Sequence, residues 1–131
     1  MGDCKHLAVR GAVCLMHGVK FDGDPDRHSK YCVLLEGYVE GKRDIVVAYG
    51  TSSLEFHHVL SSFLITRLAL AGQPPDDTLI QLDNRAIVPK RKLFGKWTFY
   101  IGQLTADLVR QLDDALVHLY VEPEVWLRMC G

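Results

Sequence analysis

The sequence predicts an α+β domain that is mainly β: a small, strongly bent sheet with a C-terminal amphipathic helix packed on it. Three observations predict it. Short runs rich in β-branched and aromatic residues recur between turn signals from residue 11 to residue 101. Over 105–120 the pattern changes to helical spacing, and Leu108, Leu112, Ala115, Leu116 and Leu119 form one apolar stripe. A strand-like run, WTFYI at 97–101, is closed by Gly102 and leads straight into that helix.

Taken in order, residues 1–10 carry no assignable pattern. GAVCLM at 11–16 is the first strand. A loop is expected over 17–29, because FDGDPD at 21–26 supplies the Gly, Pro and Asp of turn chemistry. KYCVLL at 30–35, continuing towards Val39, is the second strand, and DIVVAY at 44–49 the third. The turn at 40–42 makes them a hairpin, ended by Gly50, Thr51, Ser52 and Ser53. Residues 54–71 fit two readings. Phe56, Val59, Leu60, Phe63, Leu64 and Leu68 have helical spacing, while SFLITRL at 62–68 also reads as a strand. GQPPDD at 72–77 is a loop. Two short strands, 78–82 and 85–89, are expected around a turn at Asp83 and Asn84. KRKLFGK at 90–96 is a basic loop. Thr105 is placed to cap the helix, and Asp107 and His118 suit its dipole. The tail after it holds Pro123, Trp126 and Leu127.

Composition limits the function classes. At 131 residues the chain is read as a single domain over 1–131, long enough for a core without disulfide or metal. Its hydrophobic share of 48% and charged share of 24% are ordinary for a globular protein. The net charge of −1 provides no global attraction for nucleic acid, so such binding requires a local patch. Cys4, Cys14, Cys32 and Cys130 form no CxxC pair, which reads as reduced thiols in a cytoplasmic protein. Asp3, Lys5, His6 and Arg10 break any signal-peptide pattern, and no apolar run approaches the ~20 residues of a membrane span.

The candidate functional residues each have a plain structural reading as well. Thr51 and Ser52 at a strand end often bond their own backbone. Arg27, His28, Ser29 and Lys30 form a polar stretch between rigid strands, where sites tend to lie. Lys90, Arg91, Lys92 and Lys96 are a dense basic run: either a solvated hairpin or a phosphate track with Trp97 or Phe99 nearby for base stacking. His57 and His58 are adjacent, so in a strand they face opposite ways, and no metal site or cofactor is expected. Nothing matches a Gly-rich phosphate loop or a nucleophile elbow.

In order along the chain, GAVCLM, KYCVLLEG, DIVVAYGTSS and YIGQLTADLVRQLDDALVHL resemble the MazF/PemK/Kid family of toxin ribonucleases over 11–119. The Ile101-Gly102-x-Leu104 turn followed by the capped helix is the most specific part. Between residues 53 and 96 the likeness is loose. The resemblance implies an SH3-like barrel with a C-terminal helix. It also implies a homodimer, metal-independent cleavage of single-stranded RNA, and restraint by an antitoxin protein.

In that chemistry the RNA 2′-hydroxyl attacks the adjacent phosphate. A base, an acid and donors for the growing phosphate charge are needed. The family's Thr-Ser pair falls on Thr51 and Ser52. Where the family has Arg then Pro, this chain has Ser29, Lys30 and Tyr31, so Lys30 or Arg27 takes the phosphate role and His28 the base. RNA-binding residues would be Lys90, Arg91, Lys92, Lys96 and Trp97. Lysine lacks the planar two-point grip of arginine. A second reading therefore stays open: a non-catalytic member of the fold, binding a protein or nucleic acid as a phage or mobile-element regulator.

Overall fold

Alternation of inward and outward residues builds three long antiparallel strands from the first third of the chain. They are β1 (Ala12–Lys20), β2 (Arg27–Leu34) and β3 (Asp44–Thr51). The structure is a computed structural model that describes residues 7–20, 27–51, 60–65 and 77–119. β1 and β2 are longer than the sequence predicts, so the expected loop over 17–29 shrinks from both ends. Their pairing runs from Val13↔Val33 through Met16↔Lys30 to Lys20↔Arg27, with a register shift between Met16 and Val19. Gly18 lies in that shift at φ 67°, a left-handed conformation that glycine adopts without penalty. The bulge absorbs the irregularity and lets pairing continue. The turn chemistry of 21–26 lies outside the described residues.

The ambiguous stretch contains a strand, β4 (Ser62–Ile65); residues 54–59 and 66–71 lie outside the described residues. The two short strands expected over 78–89 are a single strand, β5 (Thr78–Pro89). Asp83 and Asn84 make a bulge in it rather than a turn. Against β3 the register passes from Ala48↔Arg85 directly to Tyr49↔Gln81, leaving Leu82 to Asn84 looped out. Leu82 recovers a bond by donating its amide to the Ser61 carbonyl at 3.0 Å. Turn residues in a strand pattern thus signal either device, and pairing on both sides selects the bulge. Part of the predicted basic loop is a single helical turn, α1 (Lys90–Leu93). β6 (Thr98–Gln103) continues through Gly102, which pairs with Val13 at a second register shift.

The sheet is antiparallel in the order β4-β5-β3-β2-β1-β6. It is curled, and both of its faces are buried. Along β1 the alternation separates Val13 from Ala12, Cys14 and Met16. Val13 joins Val33, Ala48, Ile80 and Phe63 under the helix α2 (Ala106–Val117), through Leu108, Leu112, Ala115 and Leu116. The others join Cys32, Leu34, Ile45, Val47, Val88 and Leu93 inside the curl.

The helical stripe packs as its spacing predicts. Leu112 is fully buried, while Leu119 and Val109 pack at the margin. The Thr105 hydroxyl accepts from the Leu108 amide at 3.3 Å, satisfying a first-turn donor. Arg10 binds Asp113 at 2.6 Å and pins the segment before β1 to the helix. Among the described residues no helix is long and apolar enough to cross a membrane.

Candidate functional site

The strands set Lys30 and Thr51 on the same face of the neighbouring strands β2 and β3. Alternation along DIVVAYGT sends Ile45 and Val47 into the curl, so Tyr49 and Thr51 follow them on the same face. On β2, Cys32 and Leu34 point into the curl, and Lys30 continues that row. The β2–β3 pairing includes Leu34↔Val47, Val33↔Ala48 and Cys32↔Tyr49. The paired register ends at Cys32↔Tyr49, and Tyr31 and Gly50 follow it on the two strands. The close approach at Gly50 fits this: a Cβ there would lie 2.6 Å from the Tyr31 carbonyl oxygen.

Lys30 is half-buried, with its ammonium 5.0 Å from the centre of the Tyr49 ring. The ring face is electronegative, so this contact holds the side chain over β3. Lys92 arrives from the other side. Thr98, paired with Met16, donates its hydroxyl to the Lys92 carbonyl at 2.7 Å, and Lys92 Nζ donates to the Gly18 carbonyl at 3.3 Å. Met16 is also the partner of Lys30. Lys30 thus rests on Tyr49 of β3, and Lys92 reaches the backbone of β1 at Gly18. Each cation is available to a phosphate oxygen near its own strand.

The remaining sequence candidates distribute as follows. Arg27 and His28 lie in β2, paired with Lys20 and Val19, so they belong to a strand rather than a loop; their side chains are outside the described set. Ser52, His57 and His58 are outside the described residues. Lys90 and Arg91 are exposed on α1; Lys96 is exposed too, its Nζ 5.2 Å from the centre of the half-exposed Trp97 ring. Among the described residues no group of three or more His, Cys, Asp and Glu is placed to hold a metal ion.

Two features escaped the sequence reading. Tyr49 beneath Lys30 was legible in principle, since strand alternation puts it in line with Thr51. His17 falls in the stretch that the sequence predicts as a loop, yet it lies in β1 and closes a pair with β2. Its Nδ1 shares a hydrogen bond of 2.8 Å with Ser29 Oγ, the direction depending on the tautomer. Phe99 stands edge-on to the same imidazole, with ring centres 5.7 Å apart. Only the bulged register reveals that contact.

No protein-family model and no curated protein matches the chain. Solved structures do match its fold. An endoribonuclease from a mycobacterial species superposes with a TM-score of 0.54 at 16% identity, over 85% of this chain and 88% of that one. A mycobacterial endoribonuclease in complex with its cognate antitoxin superposes with a TM-score of 0.58 at 17% identity, over 87% and 98%. At that identity what is shared is the fold: a curled antiparallel sheet carrying a C-terminal helix, in agreement with the SH3-like barrel that the sequence resemblance implies.

Proposed function

We propose that this chain is a toxin-type endoribonuclease that cleaves single-stranded RNA in the cytoplasm as part of a toxin–antitoxin system. The observation that carries the reading is a fold shared with mycobacterial endoribonucleases, in which Lys30 and Thr51 lie on the neighbouring strands β2 and β3. The reaction uses the 2′-hydroxyl of the RNA itself. That oxygen loses its proton and attacks the adjacent phosphorus, and the bond to the 5′-oxygen of the next nucleotide breaks as that oxygen takes up a proton. Lys30, assisted by Arg27, offsets the charge that grows on the phosphate oxygens. Thr51 donates a hydrogen bond to one of them, with Ser52 beside it. His28 is the proton acceptor. Lys90, Arg91, Lys92 and Lys96 track the flanking phosphates, with Trp97 beneath a base.

The active unit is a homodimer, because one sheet end offers little concave surface for a polymer. Its second partner is an antitoxin protein. A mycobacterial relative in fold is seen with its cognate antitoxin, which supports this reading. Sedimentation should give twice the 14.8 kDa of the chain at micromolar concentration; a monomer would remove the dimer from the scheme.

Induced expression in a bacterial host tests the activity. Growth arrest with RNA fragmentation is the expected outcome, and Thr51→Ala should lower the cleavage rate by about 10²–10³ with an unchanged melting temperature. Lys30 in place of an arginine, resting on Tyr49, favours one competitor: a non-catalytic RNA-binding protein. Wild-type protein that binds single-stranded RNA and leaves it intact would decide for that competitor.

A further inference from the structure

The opposite face of the sheet, beyond the end of α2, carries a second cluster that the scheme above does not use as a unit. β6 stands at one edge of the sheet. Its alternation sends Thr98 and Tyr100 inward and leaves Phe99 outward, 53% exposed. Trp97, two residues earlier, is 52% exposed. Ile101, two residues later, is covered by packing against the core beneath α2. The helix therefore seals one end of this face and leaves two large rings uncovered at the other.

The neighbouring strand adds polar groups to this strip. The His17 amide donates to the Trp97 carbonyl at 2.9 Å, which fixes β1 against the start of β6. The His17 imidazole meets Phe99 edge-on and is held at Nδ1 by Ser29. Nε2 is the ring's other hydrogen-bonding atom. Lys96 lies over Trp97, and the same connection carries Lys90, Arg91 and Lys92.

We propose that Trp97, Phe99 and His17 form a stacking subsite for the unpaired bases of a single-stranded nucleic acid, with His17 reading a base edge and Lys96 meeting the phosphate beside it. The inference deepens the nuclease reading and rests on it for the identity of the ligand. Charge selects this occupant. Four cations fall within residues 90–96, the segment that leads into the rings, and Lys96 lies over Trp97, in a chain whose net charge is only −1. Phosphate complements such a run. A second copy of the same face would set two of these runs against each other, since a two-fold contact brings identical patches together. Geometry selects a single strand, because exposed ring faces stack on bases that are free of a duplex.

The test separates binding from cleavage by using a fluorescein-labelled 2′-O-methyl RNA of mixed sequence, which has no 2′-hydroxyl to attack. The full chain should bind this strand and not its duplex. Trp97→Ala and Phe99→Ala should each weaken binding by about 5- to 150-fold. Phe99→Tyr should restore it and Phe99→Leu should not, because an apolar side chain without a ring cannot stack. His17→Ala should change the ranking among homopolymers of the four bases.

Equal affinity of the wild type and the ring variants, or no binding by the wild type, overturns the inference. So does loss of self-association in Phe99→Ala, which would assign the strip to a protein contact. The two readings fail differently. Unmodified RNA cut normally by a Phe99→Ala protein that also binds normally leaves the nuclease standing without the subsite. Ring-dependent binding without any cleavage leaves the subsite standing without the nuclease.

Discussion

Cys14 and Cys32 face each other across β1 and β2, both fully buried. Burial pushes the Cys14 thiol up from its ordinary 9.0 to about 12. Cys32 is pushed up as well, first by burial and then by its neighbour Cys14, with Lys30 opposing. An unfolded chain releases these protons above about pH 9, whereas the folded chain holds the Cys14 proton to about pH 12. Their contribution to stability is therefore complete below about pH 9 and declines as pH rises towards 12. Urea midpoints should fall with pH over that window, and less steeply in Cys14→Ala; equal slopes would mean the thiol is not the titrating group. Gly50 is the other residue whose surroundings decide its identity. A methyl group there would meet the Tyr31 carbonyl at 2.6 Å and Thr78 Cγ2 at 2.7 Å. Gly50→Ala should cost about 1–3 kcal/mol by forcing β2 and β3 apart. It should also slow RNA cleavage, because the displaced strands carry Lys30 and Thr51. A denaturation midpoint equal to the wild type would show that the strands yield without strain.

Among the elements, α2 is the one whose whole behaviour follows from spacing. Its buried leucines cover Val13, Val33 and Ile80, so truncation opens a void in a two-sided core. Leu112→Ala should destabilise the protein by about 2–5 kcal/mol. A thermal midpoint that does not move would remove the stripe from the core. β5 teaches the opposite lesson. Its polar centre, Asp83 and Asn84, carries a turn signature, yet the strand continues because β3 takes up the register on both sides of the bulge. β1 and β2 outrun the loop predicted for 17–29 for the same reason: Gly18 supplies a local irregularity that cross-strand pairing tolerates.

At the scale of the molecule, the near-neutral net charge and the cations beside β1 and β6 describe one field. The charge is balanced overall, while Lys92 reaches the Gly18 carbonyl of β1 and Lys96 lies over Trp97 at the start of β6. Binding of single-stranded RNA should therefore weaken steeply with salt. Each of Lys90→Ala and Lys92→Ala should flatten the log–log slope by about 0.7, the share of one phosphate contact on a single strand. An unchanged slope in Lys92→Ala would place the phosphate track elsewhere.

The sequence by itself determined the class of the fold, the helix with its cap and buried stripe, and the strand cores around 12–16, 31–34 and 44–49. Each of these rests on periodicity or on a local hydrogen bond, and both are properties of consecutive residues. It also pointed to Thr51 and to Lys30, through a resemblance carried by short motifs. Tertiary structure alone decided that Tyr49 lies under the Lys30 ammonium and that Lys92 reaches Gly18. It alone joined His17 to Ser29 and Phe99. All of these are matters of register between strands, and a shift of one residue would turn every side chain to the other face.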